Sequence, residues 1–250
     1  SLGAFDFITK PEENDWKANQ ENLRTQLKDK LSSRVPTTTP ILPPRAARPT
    51  APQRPLTALV RIDLVAIGIS TGGPKALAEV IPALPGSLRV PIVIVQHMPT
   101  MFTSALAQSL DSQSIVKVVE ATTGLPLQPA TVYIAPGGKQ MRLAKQGALT
   151  TIEITDDPPE NFCKPAVDYL FRSVAEIYGS RGLGVIMTGM GADGTQGLRA
   201  MKQQGSPVMA QDEATCVVYG MPQEAVKAGV VDTVLPHNKI AGEIARICTP

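Results

Sequence analysis

Between residues 63 and 247, short apolar runs alternate with stretches whose apolar residues recur every three or four positions, the pattern of strands followed by helices. The runs predict strands over 63–69, 90–96, 115–120, 131–135, 183–188, 206–210 and 230–234. The longer period predicts helices over 75–83, 102–110, 164–178, 195–204, 222–228 and 237–247. Elements in that order specify an α/β fold, a doubly wound, mostly parallel sheet with helices on both faces. The stretch "GGKQMRLAKQGALTTIEI" alternates instead around Lys145-Gln146-Gly147, which predicts an inserted antiparallel hairpin.

Upstream the pattern changes. Residues 36–55, "PTTTPILPPRAARPTAPQRP", hold seven prolines and show neither period, so 35–57 reads as an extended, semi-rigid linker. Before it, "NDWKANQENLRTQLKDKLSSR" is a polar helix with Asn14 or Asp15 as cap and Trp16, Leu23, Leu27 and Leu31 as a thin apolar stripe that needs something to pack on. Three segments follow: 1–34, the linker at 35–57, and a large domain at 58–250.

Charge and composition narrow the function classes. Residues 1–57 carry 9 Lys/Arg against 6 Asp/Glu, leaving 15 of the 24 cations and 16 of the 22 anions to the rest, so the large domain is near neutral and no nucleic-acid surface is expected. No apolar run approaches the roughly 18 residues of a membrane span, so membrane insertion is not expected either. Three cysteines, Cys163, Cys216 and Cys248, form no Cys-x-x-Cys pair. Neither a disulfide framework nor a zinc site is expected, and a reducing cytoplasm is the natural setting.

The chemistry concentrates just past three strands. Gly68-Ile69-Ser70-Thr71-Gly72 satisfies Gly-x-Ser-x-Gly, in which small flanking residues permit a tight strand-to-helix turn that exposes a hydroxyl. Ser70 is then either a nucleophile or only the cap of the helix that Pro74 opens. A nucleophile needs a base, and the chain has two histidines. His97 follows the second strand, on the same sheet edge as Ser70 and one strand over; His237 opens the last helix and reads as a solvated terminal residue. Asp193, in "TGMGADGTQGL", follows a buried strand and can hold an imidazole in the useful tautomer. Backbone amides of that glycine-rich turn, Met190 first among them, can face a developing oxyanion.

Each residue has a plainer role, as cap, loop histidine or cap again, but three triad-type side chains at the ends of three parallel strands exceed what capping requires. Cys163 and Cys216, with no histidine nearby in sequence, read as ordinary buried thiols. The competing class is a non-catalytic phosphate- or nucleotide-binding domain, since "GISTGG" approaches a Gly-x-Gly-x-x-Gly turn at a helix N-terminus. Its expected acidic residue at the end of the next strand is missing, because that strand ends Gln96-His97.

The segments "IGISTGGPKAL", "VIVQHMP", "VYIAPGGKQM", "KPAVDYLFRSVA", "TGMGADGTQGLRAMKQQG" and "AQDEATCVVYGMPQEAVKAGVVDTVLP" together resemble the catalytic domain of chemotaxis protein-glutamate methylesterases, the CheB family. The likeness runs over residues 60–247. It implies a serine hydrolase that demethylates glutamate methyl esters on chemoreceptors, releasing methanol, and that also deamidates receptor glutamines. It implies Ser70 as nucleophile, His97 as base, Asp193 as acid, the Met190 amide in the oxyanion hole, and no cofactor or metal. Gln140 stands where many members have His, and Cys216 where Ser is usual. "GAFDFITKP" further resembles the last strand of a response-regulator receiver domain, with Lys10 as the lysine that contacts the phosphorylated aspartate and 14–34 as the final helix. The implied partners are methylated receptor cytoplasmic domains and a histidine kinase acting through the rest of the receiver, whose phosphoacceptor aspartate this sequence lacks.

Overall fold

The computed structural model describes residues 24–26, 61–147 and 149–248, and the chain divides into two units, Ser1–Gln53 and Arg54–Pro250. Of the helix expected over 14–34, residues 24–26 are described and are helical; Lys10 and the linker lie outside the described residues.

In the second unit the strands are β1 (Leu64–Ile69), β2 (Ile92–Gln96), β3 (Lys117–Glu120), β4 (Thr131–Ile134), β5 (Gln140–Gln146), β6 (Leu149–Thr155), β7 (Gly182–Ile186), β8 (Val208–Gln211) and β9 (Thr233–Leu235). The helices are α1 (Gly73–Val80), α2 (Thr100–Asp111), α3 (Val167–Tyr178), α4 (Thr195–Gln203), α5 (Met221–Lys227) and α6 (His237–Cys248). Seven strands form one parallel sheet in the order β3-β4-β2-β1-β7-β8-β9, and β5 pairs with β6 as the separate antiparallel hairpin.

A parallel sheet must be covered on both faces because its crossovers are helices, and β1 and β2 are buried along their whole length. Alternation then sorts their side chains into two cores. Val65, Ile67, Ile69, Ile92 and Ile94 join residues of α1, α2 and α6 in one. Leu64, Ala66, Val93 and Val95 meet α3, α4, α5 and the hairpin in the other.

Strand boundaries differ most at β9, which starts at Thr233 instead of 230 because the chain first closes α5: Gly229 has φ +70° and Val230 N donates to Ala225 O. Helix α3 starts at Val167, since Pro165 disfavours helical backbone at Lys164 and Ala166 is extended. Among the described residues no helix is long and apolar enough to cross a membrane.

The strand order reverses direction at β1, with β2 on one side and β7 on the other. Open α/β sheets offer a crevice at the carboxyl ends of the strands at such a point.

Candidate active site

Strands β1 and β2 end level, Ile69 opposite Gln96, so Ser70 and His97 emerge side by side. Ser70 is not a side-chain cap: Gly72 caps α1 in the left-handed region at φ +80° with no side-chain bond, and the Ser70 carbonyl, not its hydroxyl, accepts from Gly73 N at 2.8 Å. Among the described residues the hydroxyl caps nothing and is left for other work. The loop after β7 closes onto it. Ser70 N donates to Thr188 O at 2.9 Å, and a Cβ on residue 189 would fall 2.7 Å from Ser70 Cβ, so only glycine permits that approach.

Gln96 ties nucleophile and base loops together. Its side chain is 1% exposed, and Nε2 donates to Ser70 O at 3.1 Å and to His97 O at 2.9 Å. His97 N adds a bond to Ile69 O. The imidazole Nε2 lies 2.8 Å from Asp193 Oδ2, with side-chain exposures of 14% and 3%.

Asp193 is gripped from all sides. Besides His97, Oδ2 accepts from Val167 N at 2.6 Å; Oδ1 accepts from Asp168 N, Asn161 Nδ2 and Gly194 N. Two of these donors are the first amides of α3, so a helix N-terminus faces the carboxylate. Asn161 also donates to Asp168 Oδ2 at 2.9 Å, joining a second buried carboxylate to the first. Burial would raise Asp193, yet the His97 bond and charge and the Val167 and Asp168 amides outweigh it and lower its pKa. Asp168 is raised by burial, with the Asp193 charge adding to that. Asn161 and the start of α3 thus belong to the site although the sequence marks neither: their signal is a turn residue and two backbone amides, which carry no residue-type signature.

The imidazole pKa reflects a contest. Burial lowers it, but the bonds from Asp193 and Cys163, with their charges, raise it to about 9. The reading of Cys163 as an ordinary buried thiol is corrected here. The thiol is half-buried and its Sγ lies 3.6 Å from His97 Nδ1, a contact between residues 66 positions apart that sequence spacing cannot show. Cys216 is half-buried as well, its thiol pushed up to about 12 by burial, and Cys248 is buried.

His97, Cys163 and Asp193 each present a metal-ligand atom, all within 4.8 Å of one another. Both Asp193 oxygens already accept hydrogen bonds, so the cluster is assembled as a hydrogen-bonded chain. His237, read as a solvated terminal residue, instead places Nε2 2.5 Å from Glu79 Oε2, tying α6 to α1. Gln140 is fully buried and braces the segment before α3, accepting from Ala166 N and donating to Pro158 O. Beside Ser70, the Met190 side chain is 55% exposed, and its N–H meets no acceptor among the described residues.

The profile of the CheB methylesterase family matches residues 65–244. The chain is 47% identical to the protein-glutamate methylesterase/protein-glutamine glutaminase of Desulfotalea psychrophila, over 97% of this chain and 71% of the relative. It is 43% identical to the protein of the same name from Trichodesmium erythraeum, over 98% and 71%. The Thermotoga maritima CheB methylesterase catalytic domain superposes with a TM-score of 0.73 at 44% identity, covering 75% of this chain and all of that one. With a serine, a histidine and a carboxylate gathered at the switch point of the same sheet, the chain belongs to the CheB methylesterase family.

Proposed function

We propose that this chain hydrolyses glutamate methyl esters on chemoreceptor cytoplasmic domains in the cytoplasm, releasing methanol, and deamidates receptor glutamines at the same site. The observation that carries the reading is the His97–Asp193 pair standing beside Ser70 on adjacent parallel strand ends. Asp193 holds Nε2, so that nitrogen carries its proton and Nδ1 is left to act as base. Ser70 Oγ attacks the ester carbonyl as Nδ1 takes its proton; backbone amides near Met190 receive the oxyanion; His97 then protonates departing methoxide. Water, deprotonated by His97, cleaves the acyl-serine to give glutamate and regenerate Ser70. The same cycle on a glutamine releases ammonia.

The test couples methanol release from methylated receptor membranes to mass mapping of a serine-directed phosphonate. An adduct on Ser70 together with methanol release supports the reading. No adduct and no methanol, with phosphate or nucleotide stabilising the fold, favours the anion-binding alternative.

We further infer that residues 1–34 end a receiver domain, with Lys10 serving a phosphoaspartate formed by a histidine kinase. The expected consequence is that a small phosphodonor speeds methanol release by the protein with its whole receiver domain, and that Lys10→Ala abolishes the gain; no gain, or a gain that survives Lys10→Ala, overturns the inference.

A further inference from the structure

Asp193 fixes which imidazole nitrogen can do chemistry. With Nε2 donating to the carboxylate, only Nδ1 can take the Ser70 proton, and that nitrogen faces Cys163 Sγ at 3.6 Å. No hydrogen bond joins Ser70 Oγ to His97 among the described residues, so in this arrangement the thiol holds the position the serine needs. The thiol is placed there by a built loop. Glu160 and Cys163 exchange backbone bonds at 3.0 and 2.8 Å, Asn161 and Phe162 both take positive φ, and Glu160 grips Arg172 of α3 through two 2.6 Å bonds. Asn161 then ties the loop to Asp193 and Asp168.

We propose that Cys163 is a positioning residue that restrains the general base: it competes with Ser70 for His97 Nδ1, and turnover requires the thiol to give up that nitrogen. The proposal rests on the esterase reading above. Both protonation states of the pair keep Nδ1 from Ser70, and the thiolate state is the one that raises the imidazole pKa. A thiol donates S–H to the Nδ1 lone pair and occupies the base; a thiolate accepts from Nδ1–H and holds His97 as the imidazolium, which cannot take a proton. The titratable groups that act on His97 are Asp193, from the loop after β7, and Cys163, from the loop before α3. Removing the thiol leaves Asp193 as the only such partner among the described residues.

The experiment compares wild type, Cys163→Ala and Cys163→Ser by pH profile of kcat/KM and by NMR titration of the His97 ring, which is tractable with two histidines in the chain. The acid limb in Cys163→Ala is expected at lower pH, each unit of that fall raising turnover at pH 7 about tenfold. The His97 midpoint should fall by the same amount. Cys163→Ser, whose hydroxyl can reach for Nδ1 but stays neutral, should lie between the two.

A Cys163→Ala profile superimposed on wild type overturns the proposal. So does a loss of activity with the His97 midpoint unmoved and the melting temperature retained, because the thiol then aids the ring. The NMR midpoint separates the two readings: if the protein shows no esterase activity at all, an unmoved midpoint sinks the restraint, and a shifted one keeps the contact while sinking the esterase.

Discussion

The chain has two histidines, and each sets Nε2 against a carboxylate: His97 on Asp193 at 2.8 Å, His237 on Glu79 at 2.5 Å. The pairs differ in everything around them. Asp193 is 3% exposed and receives four further donors; Glu79 is 48% exposed and takes no other hydrogen bond among the described residues. A long exposed side chain loses rotamer freedom to make its bond and is screened by water, so such a pair contributes little. A carboxylate fixed by backbone amides needs no reorganisation when charge develops on its partner, which is what a base-orienting acid requires. His97 also stands beside a serine on the next strand, whereas His237 only joins α6 to α1. A His–carboxylate contact is therefore not by itself a catalytic mark, and what separates the two pairs is the support behind the carboxylate.

The largest effects break the comparison if they fail. Ser70→Ala and His97→Gln should each lower methanol release by about 10⁵- to 10⁶-fold, as in other serine hydrolases, while His237→Gln stays within about twofold. Comparable losses at both histidines would erase the distinction. Asp193→Asn should fold and lose about 10⁴-fold, because the amide favours the wrong tautomer; Glu79→Gln should leave turnover unchanged. If Asp193→Asn loses less than about tenfold, Asp193 only braces the start of α3.

pH sharpens the contrast. With the His97 pKa raised from 6.5 to about 9, the imidazolium predominates at neutrality, so kcat/KM should climb from pH 7 to about 9 by up to about 10²-fold. Stability runs the other way. A native pKa above the unfolded value favours the folded state fully below about pH 6.5 and loses that contribution as pH rises through about 9. The pair's share is about 3 kcal/mol at most. Melting temperature should therefore fall over that window in wild type, and the fall should shrink in His97→Gln. A pH-independent melting temperature in both would show that His97 is not raised.

The fold was largely legible because binary pattern reports burial, and β1, β2, β7 and β8, buried along their whole length, leave continuous apolar runs. That Ser70, His97 and Asp193 meet on one sheet edge was legible for a related reason: each directly follows or closely trails a strand, and a parallel sheet brings strand ends together. Cys163, Asn161 and Asp168 were not. They arrive on the 160–168 segment, whose approach depends on left-handed backbone at Asn161 and Phe162 and on where α3 docks, neither of which has a periodic signature. Gln96 was hidden by its place in an apolar strand, where its amide bridges two carbonyls.

The smallest expected effect concerns that hidden segment, and Asn161 isolates it. Its Nδ2 serves two buried carboxylates at 2.9 Å each while its backbone sits at φ +51°. Alanine at this position would confound lost hydrogen bonds with strain, so Asn161→Gly is the cleaner variant, because glycine takes positive φ freely. Asp193 keeps three backbone donors and His97; Asp168 keeps Gly197 N. Stability should fall by about 1–3 kcal/mol for partners left short of a donor. The imidazole loses a little of its positioning, and kcat should drop about tenfold, short of the 10² that a 1 Å misplacement brings. KM should hold within about twofold, since Asn161 acts through Asp193 and not on the ester. A change in KM alone would place Asn161 in substrate contact instead, and an unchanged kcat would mean that the backbone amides of α3 fix Asp193 unaided.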